Sequence, residues 1–299
     1  MSAAPTVTEP WLVALDIDGT ILDEDGTISD AVAAQVRRLA DAGHAVMLAT
    51  GRSAAAALPI LDRLEITPQY VVCSNGAITM HRDADAPMGY RREWVETFNP
   101  SEVLRSIRSH LGNARFAVED EHGFYRYTEP IPDATIGMDS ERVAFDELLV
   151  HPATRVVVIS PDHDMEDFLA VVERMGLNRV SYAIGWTAWL DIAPDGVNKA
   201  TALEKVRSAL GIPPERVMAV GDGRNDIEML LWASVAGRGV AMGESPDEVM
   251  AAGSESTTSV KHDGLAQALR SLYYACPAPV QDGLSGSEAG HRIGSALFA

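Results

Sequence analysis

The sequence predicts an α/β protein, a Rossmann-like parallel-sheet core interrupted by an inserted α+β unit. From Trp11 to Cys73, short apolar runs alternate with helical stretches, the rhythm of a parallel sheet with right-handed crossovers. From Arg82 to Asp191 the texture changes to aromatic and alternating segments, which suit an antiparallel sheet. After Asp195 the α/β rhythm returns. The expected organisation is a core in two parts, residues 1–81 and 191–275, around an inserted unit at 82–190. A tail at 276–299, rich in Gly, Ser and Ala, reads as poorly ordered or loosely attached.

In chain order, residues 11–15 form a buried apolar strand. Residues 29–39 form a helix capped by Ser29, with Gly43 just past its end. A strand at 44–49 runs into Thr50-Gly51-Arg52, and a helix at 53–64, interrupted by Pro59, leads to a strand at 70–73 and the turn Ser74-Asn75-Gly76. The inserted unit carries strand signals around 116–118, 124–127, 155–159 and 180–184, with helices at 100–111 and 164–175. The core resumes with a helix at 198–210, a strand at 217–220, a helix at 225–232 and a strand at 235–240.

Composition limits what this chain can do. Its 299 residues exceed the usual single-domain size, and 46% hydrophobic residues supply a real core. Lys and Arg number 24 against 43 Asp and Glu, a formal net charge of −19, which disfavours nucleic acid and anionic membranes as partners. A phosphate site in such a chain must be made positive locally. Cys73 and Cys276 offer neither a disulfide framework nor metal spacing and read as free thiols of a reducing compartment. No apolar stretch is long enough to span a bilayer, and the N-terminus lacks a basic region followed by an apolar run, so a cytoplasmic location is expected. Nothing in the pattern specifies an oligomeric state.

Four short segments could carry chemistry, and each has an ordinary structural explanation as well. Asp16-Ile17-Asp18-Gly19-Thr20 follows the first strand; two carboxylates there suit Mg²⁺ and attack on phosphorus, yet Asp before Gly is also a common turn. Thr50-Gly51-Arg52 is equally a strand end with a helix cap, and Lys199 equally a solvated helix lysine. Asp222 and Asp226, within Gly221-Asp222-Gly223-Arg224-Asn225-Asp226, could simply cap the helix that follows. Ligands of open α/β sheets bind at the carboxyl ends of the strands, and there Asp16, Thr50, Asn75 and Asp222 would converge. His81, His110, His122 and His151 lack metal-ligand spacing and read as surface or turn residues, while Trp186 and Trp189 read as packing near the return to the core.

Taken in order, Asp16-Ile17-Asp18-Gly19-Thr20, Thr50-Gly51-Arg52, Lys199 within Gly196-Val197-Asn198-Lys199, and Gly221 to Asp226 resemble the four motifs of the haloacid dehalogenase superfamily. Ser74-Asn75-Gly76-Ala77, the placement of the inserted unit and Gly239-Val240-Ala241-Met242-Gly243 are similar to its Cof-like branch, subclass IIB. The likeness runs over residues 11–272, with Gly223-Arg224 and Glu244-Ser245 as departures. It implies a core of that superfamily with a type C2B cap. The implied activity is a Mg²⁺-dependent phosphatase acting on small phosphorylated metabolites, either sugar phosphates or cofactors such as flavin mononucleotide or pyridoxal phosphate.

By that resemblance Asp16 is the nucleophile that forms an aspartyl-phosphate, and Asp18 moves protons and lends its backbone carbonyl to the metal. Asp16, Asp18 and Asp222 hold Mg²⁺, with Asp226 beside them. Thr50 and the N–H groups of Gly51 and Arg52 bind phosphate oxygens, Lys199 neutralises charge, Asn225 completes the cradle, and Arg52 and Asn75 face the substrate. The cap excludes water and selects the leaving group, with the loops around residues 119–127 and 184–189 as its expected inner surface. A phosphotransferase or phosphomutase would share the aspartyl-phosphate step. A silent phosphate-binding regulator would not need the Asp16 and Asp18 pair.

Overall fold

The structure, a computed structural model, describes residues 9–86, 88–131, 139–175, 180–184 and 188–275. The expected tail, with Cys276, and also Trp186 lie outside the described residues. Strand β1 (Leu12–Leu15) is buried throughout, as its unbroken Leu-Val-Ala-Leu run requires of a strand covered on both faces. Helix α1 (Asp30–Asp41) begins at Ser29, whose hydroxyl accepts the Val32 N–H at 3.1 Å, and it buries Val32, Val36 and Leu39. Strand β2 (Ala45–Leu48) pairs in parallel with β1.

Helix α2 (Ala54–Leu64), capped by Ser53, runs through Pro59 without a break. The expected interruption does not occur. Pro59 and Ala55, whose carbonyl loses its helical donor, both lie on the exposed face, where water can take the donor's place.

Strand β3 (Tyr70–Cys73) touches the parallel sheet through one bridge, Ala49 to Val72, and otherwise pairs antiparallel with β4 (Ile78–Arg82). Strand β5 (Tyr90–Val95) continues this three-stranded sheet. Met80 and Tyr90 pack into the main core, and Trp94 stacks on Tyr70 with ring centroids 5.6 Å apart. Residue 82 is therefore the last of β4, and the antiparallel texture begins within the core's own hairpin. The chain crosses to the second sheet only after Val95.

That second unit runs α3 (Ser101–His110), β6 (Arg115–Glu119), β7 (Tyr125–Tyr127), β8 (Ser140–Arg142), β9 (Arg155–Ile159), α4 (Met165–Met175), β10 (Val180–Ile184) and β11 (Trp189–Pro194). Its six strands lie in the order β10-β11-β9-β6-β7-β8, antiparallel except for β7 beside β8. Side chains alternate across it as strand geometry dictates. Phe116, Val118, Val156, Val158, Leu190 and Ile192 join the cluster that includes Leu104 and Phe168 of the two helices, while Ala117, Tyr125 and Val157 form a smaller cluster. Trp189 packs against that smaller cluster, inside the second unit.

The core resumes with α5 (Lys199–Ala209), where the Asn198 side chain accepts the Thr201 N–H at 3.0 Å. Strand β12 (Val217–Gly221), helix α6 (Ile227–Ser234), strand β13 (Arg238–Ala241), helix α7 (Asp247–Ala252), strand β14 (Glu255–Ser256) and helix α8 (Gly264–Ala275) complete it. Strand β13 starts three residues later than the apolar run from Val235 suggested, because Val235 ends α6 and stands 85% exposed. The parallel sheet has the order β14-β13-β12-β1-β2, with Leu15 level with Val220. This places β1 and β12 side by side with their carboxyl ends on one edge. Among the described residues, no helix is long and apolar enough to cross a membrane.

Leu15 has no exposed surface and lies on an inner strand of this sheet, between β12 and β2, so Leu15→Ala is expected to cost about 2–5 kcal/mol. Loss of the α1 cap in Ser29→Ala should cost about 1 kcal/mol. Denaturant midpoints of the two variants against the parent check the ranking.

Candidate active site

The four strand ends meet, and backbone hydrogen bonds join them. The Asp16 N–H donates to the Val220 carbonyl at 3.0 Å, which keeps the two chains together one residue beyond β1. The Asn75 N–H donates to the Thr50 carbonyl at 3.0 Å, and the Ser74 N–H to the Arg52 carbonyl at 2.8 Å. Gly19, at φ +75°, turns the chain against Asp222, and a Cβ there would land on the Asp222 carboxylate.

Lys199, the first residue of α5, is fully buried, and its ammonium donates to Asp16 Oδ1 and Asp226 Oδ1, each at 2.7 Å. The other Asp226 oxygen accepts the N–H groups of Asp222 and Gly223 at 3.1 and 3.0 Å. One carboxylate thus fixes both the lysine and the turn that presents Asp222. Burial would depress the Lys199 pKa on its own, but Asp16 and Asp226 outweigh it and raise the value.

Carboxylate oxygens of Asp16, Asp222 and Asp226 lie within 4.8 Å of one another, all buried. Burial, then repulsion from Asp226, holds the Asp16 carboxyl well above the ordinary range despite Lys199. Burial, then Asp16 and Asp226, does the same to Asp222. Three carboxylates face one ammonium, so full ionisation would leave two negative charges without a partner. Hard oxygen donors with a deficit of that size fit a divalent cation such as Mg²⁺.

Asp18 has a different environment. Its side chain is 57% exposed, and both its oxygens accept from Arg52, Oδ2 from Nε at 2.9 Å and Oδ1 from Nη2 at 2.5 Å. Thr50 is buried, and its hydroxyl oxygen accepts the Arg52 N–H at 3.1 Å. Asn225 Nδ2 donates to Asn75 Oδ1 at 3.0 Å, and this pair lies against Gly51, where a Cβ would sit 3.1 Å from Asn75 Oδ1. A side chain at residue 51 would crowd the two amides at the strand end.

A cleft of about 260 Å³ opens beside Lys199, with Asn75 and Asn225 on the core side and Ser181 and Asp191 on the second unit's side. Its outer wall is therefore built from β10 and β11, while residues 185–187 of the expected 184–189 loop lie outside the described residues. The 119–127 segment reaches the site through Glu119, which accepts a 2.6 Å hydrogen bond from Ser74. Sequence reasoning missed Ser74 and Glu119 as partners, and also Thr20, whose hydroxyl lies 3.4 Å from Asp222 Oδ1. Thr20 could have been found from its place in the first motif; the Glu119 contact has no local signal.

With Asp16 and Asp222 raised above the 3.8 of a free aspartate, the folded state without metal holds protons that the unfolded chain has released. Its stability therefore falls as pH rises from about 4 through the raised values. A divalent cation held by these carboxylates would compete with those protons, so a stabilising effect of Mg²⁺ in thermal denaturation should be larger at about pH 8 than at about pH 5. An Mg²⁺ effect independent of pH would contradict this electrostatic picture.

Residues 13–269 match the family of haloacid dehalogenase-like hydrolases. The chain is 30% identical over 280 residues to a 5-amino-6-(5-phospho-D-ribitylamino)uracil phosphatase of Bacillus subtilis, covering 89% of this chain and 98% of that protein. It is 28% identical over 240 residues to an HMP-PP phosphatase of Yersinia pseudotuberculosis, covering 78% and 84%. Among solved structures, a subclass IIB sugar phosphatase superposes with a TM-score of 0.74 at 21% identity, over 88% of this chain and 99% of that one. A phosphatase from Bacteroides thetaiotaomicron gives a TM-score of 0.69 at 24% identity, over 89% and 96%. These likenesses show a shared fold, and with the match over residues 13–269 they place this chain among the haloacid dehalogenase-like hydrolases.

Proposed function

We propose that the protein is a Mg²⁺-dependent phosphatase that hydrolyses small phosphomonoesters through an aspartyl-phosphate on Asp16. The observation that carries this reading is the buried Lys199 ammonium held between Asp16 and Asp226, with Asp222 just past the end of the neighbouring strand β12. A site that only bound phosphate would have no use for a buried carboxylate aimed at an anion.

Asp16, the Asp18 backbone carbonyl and Asp222 would hold Mg²⁺, which when bound offsets the repulsion between carboxylate and phosphoryl oxygens. Asp226, with both oxygens already accepting, serves to hold Lys199 and the Asp222 turn. Lys199 places a fixed positive charge beside the attacking carboxylate and stabilises charge developing on the phosphoryl oxygens. Thr50, with its oxygen oriented by the Arg52 N–H, has its proton available for a phosphate oxygen. The Asn75 and Asn225 amides line the same rim.

Asp18 gives a proton to the leaving alkoxide and then takes one from the attacking water. In the absence of substrate both Asp18 oxygens accept from Arg52, so a phosphate that draws Arg52 away also frees the Asp18 carboxyl to turn toward the leaving group. The second unit, closing over the strand ends, shields the acyl phosphate between the two steps. The 260 Å³ cleft with amide, hydroxyl and carboxylate groups suits a small polar leaving group. Polyol and sugar phosphates are the first candidates, in keeping with the ribitylaminouracil phosphate named for the Bacillus subtilis relative.

A panel of phosphomonoesters, scored by kcat/KM with free phosphate as the product, tests the reading. Transfer to an added sugar with little free phosphate would instead indicate a phosphotransferase. Asp16→Asn should lower kcat by about a thousandfold or more, since the nucleophile is lost. Asp18→Asn should lower kcat by about 10²- to 10⁴-fold while Mg²⁺ affinity, which needs only its carbonyl, stays near that of the parent. Chelation with EDTA should abolish turnover, and full activity in metal-free buffer would exclude the metal's role.

A further inference from the structure

The turn Ser74-Asn75-Gly76 places the Asn75 amide at the phosphate-facing rim in an unusual conformation. Ser74 and Asn75 have φ of +49° and +50°, left-handed backbone that residues with side chains adopt only under restraint. Gly76 follows at φ +99°, so close to α5 that a Cβ would land on the Asn198 carbonyl. On the core side the turn is held by the Thr50 and Arg52 carbonyls.

On the other side it is held by the second unit. Ser74 is fully buried, and its hydroxyl donates to Glu119 Oε2 at 2.6 Å, from the last residue of β6. Glu119 is itself 1% exposed and cannot swing away. The Arg155 charge acts on its carboxylate, and Arg155 Nη1 also donates to the Tyr125 hydroxyl at 3.3 Å. Arg155 is fixed in turn by Asp191 through paired bonds of 2.5 and 2.6 Å, and Asp191 lines the cleft. A connected set of polar groups therefore runs from the cleft wall, through the second sheet, to the backbone that carries Asn75.

We propose that Glu119 is a positioning residue: through Ser74 it fixes the Asn75 amide against Asn225, so that the second unit shapes the phosphate rim without touching the phosphate. The inference rests on reading that rim as the phosphate site. Glu119 and the metal carboxylates act on separate parts of the site, since Asp16 and Asp222 leave β1 and β12. A loss of Glu119 should thus weaken phosphate binding and leave Mg²⁺ affinity unchanged, a split that general loosening of the fold would not produce.

The test is a double-mutant cycle on Glu119→Ala and Ser74→Ala, read as the Kd for inorganic phosphate in saturating Mg²⁺ by calorimetry. Each single variant should raise Kd about tenfold and the double variant about tenfold as well, because both remove the same bond. Glu119→Gln, whose amide oxygen still accepts the Ser74 proton, should stay within about twofold of the parent. Losses that multiply in the double variant, a Mg²⁺ affinity that falls in step, or a Ser74→Ala protein with the parent's Kd would overturn the proposal. If Glu119→Ala does not fold, Ser74→Ala alone and combined with Glu119→Gln decides the matter, the two being expected to bind phosphate equally. Parent protein that binds phosphate but releases none from any phosphomonoester would contradict the phosphatase reading, while the cycle would still decide whether Glu119 positions the rim.

Discussion

The burial of one ammonium between two carboxylates is the constraint on which the rest of this structure depends. Lys199 has no exposed surface, and an unpaired charge there would carry a desolvation cost of several kcal/mol. It is tolerable because Asp16 and Asp226 each accept at 2.7 Å, and those partners arrive from β1 and from the turn after β12. The topology supplies them. Strand β1 lies beside β12 in the sheet, and α5 returns from the second unit so that its first residue points at their carboxyl ends. Asp226 then couples charge to shape, since its second oxygen holds the backbone of Asp222 and Gly223.

Asp16 and Asp18 stand two residues apart, yet share little else. Asp16 is 4% exposed, bound to Lys199 and crowded by other carboxylates, whereas the Asp18 side chain is more than half exposed and paired with Arg52. The separation arises where the chain leaves the strand and Gly19 turns it back on Asp222. Two carboxylates in unlike environments can take unlike tasks, one attacking and one moving protons. Around them the core contributes Thr50, Asn75 and Asn225 from loops that are bonded to one another, and the second unit contributes both the cleft wall and the Glu119 contact.

Much of this was legible in the sequence because the relevant signals are local. The strands at Tyr70–Cys73, Arg155–Ile159 and Val180–Ile184 appear with the bounds their apolar runs suggest, and Ser29 caps the helix that follows it. The residues of the candidate site were legible for the same reason: Asp16, Thr50, Asn75 and Asp222 each follow a strand. What could not be read depends on distant partners. Residues 78–95 alternate like the inserted unit, but β4 and β5 belong with β3 because Met80 and Tyr90 fill the main core. Pro59 looks like a helix breaker until exposure of its face is known. Thr20 with Asp222 and Ser74 with Glu119 join positions 202 and 45 residues apart, and no spacing rule links them.

The proposed chemistry turns on a covalent bond between an Asp16 oxygen and phosphorus. It is tested most directly by acid-quenching the enzyme during turnover of a phosphomonoester, reducing with borohydride, and sequencing the peptides by mass spectrometry. An acyl phosphate on Asp16 would be reduced to the alcohol, so homoserine is expected at position 16, dependent on both substrate and Mg²⁺. Rapid turnover with an unmodified Asp16, or with the reduced residue at another carboxylate, would contradict it.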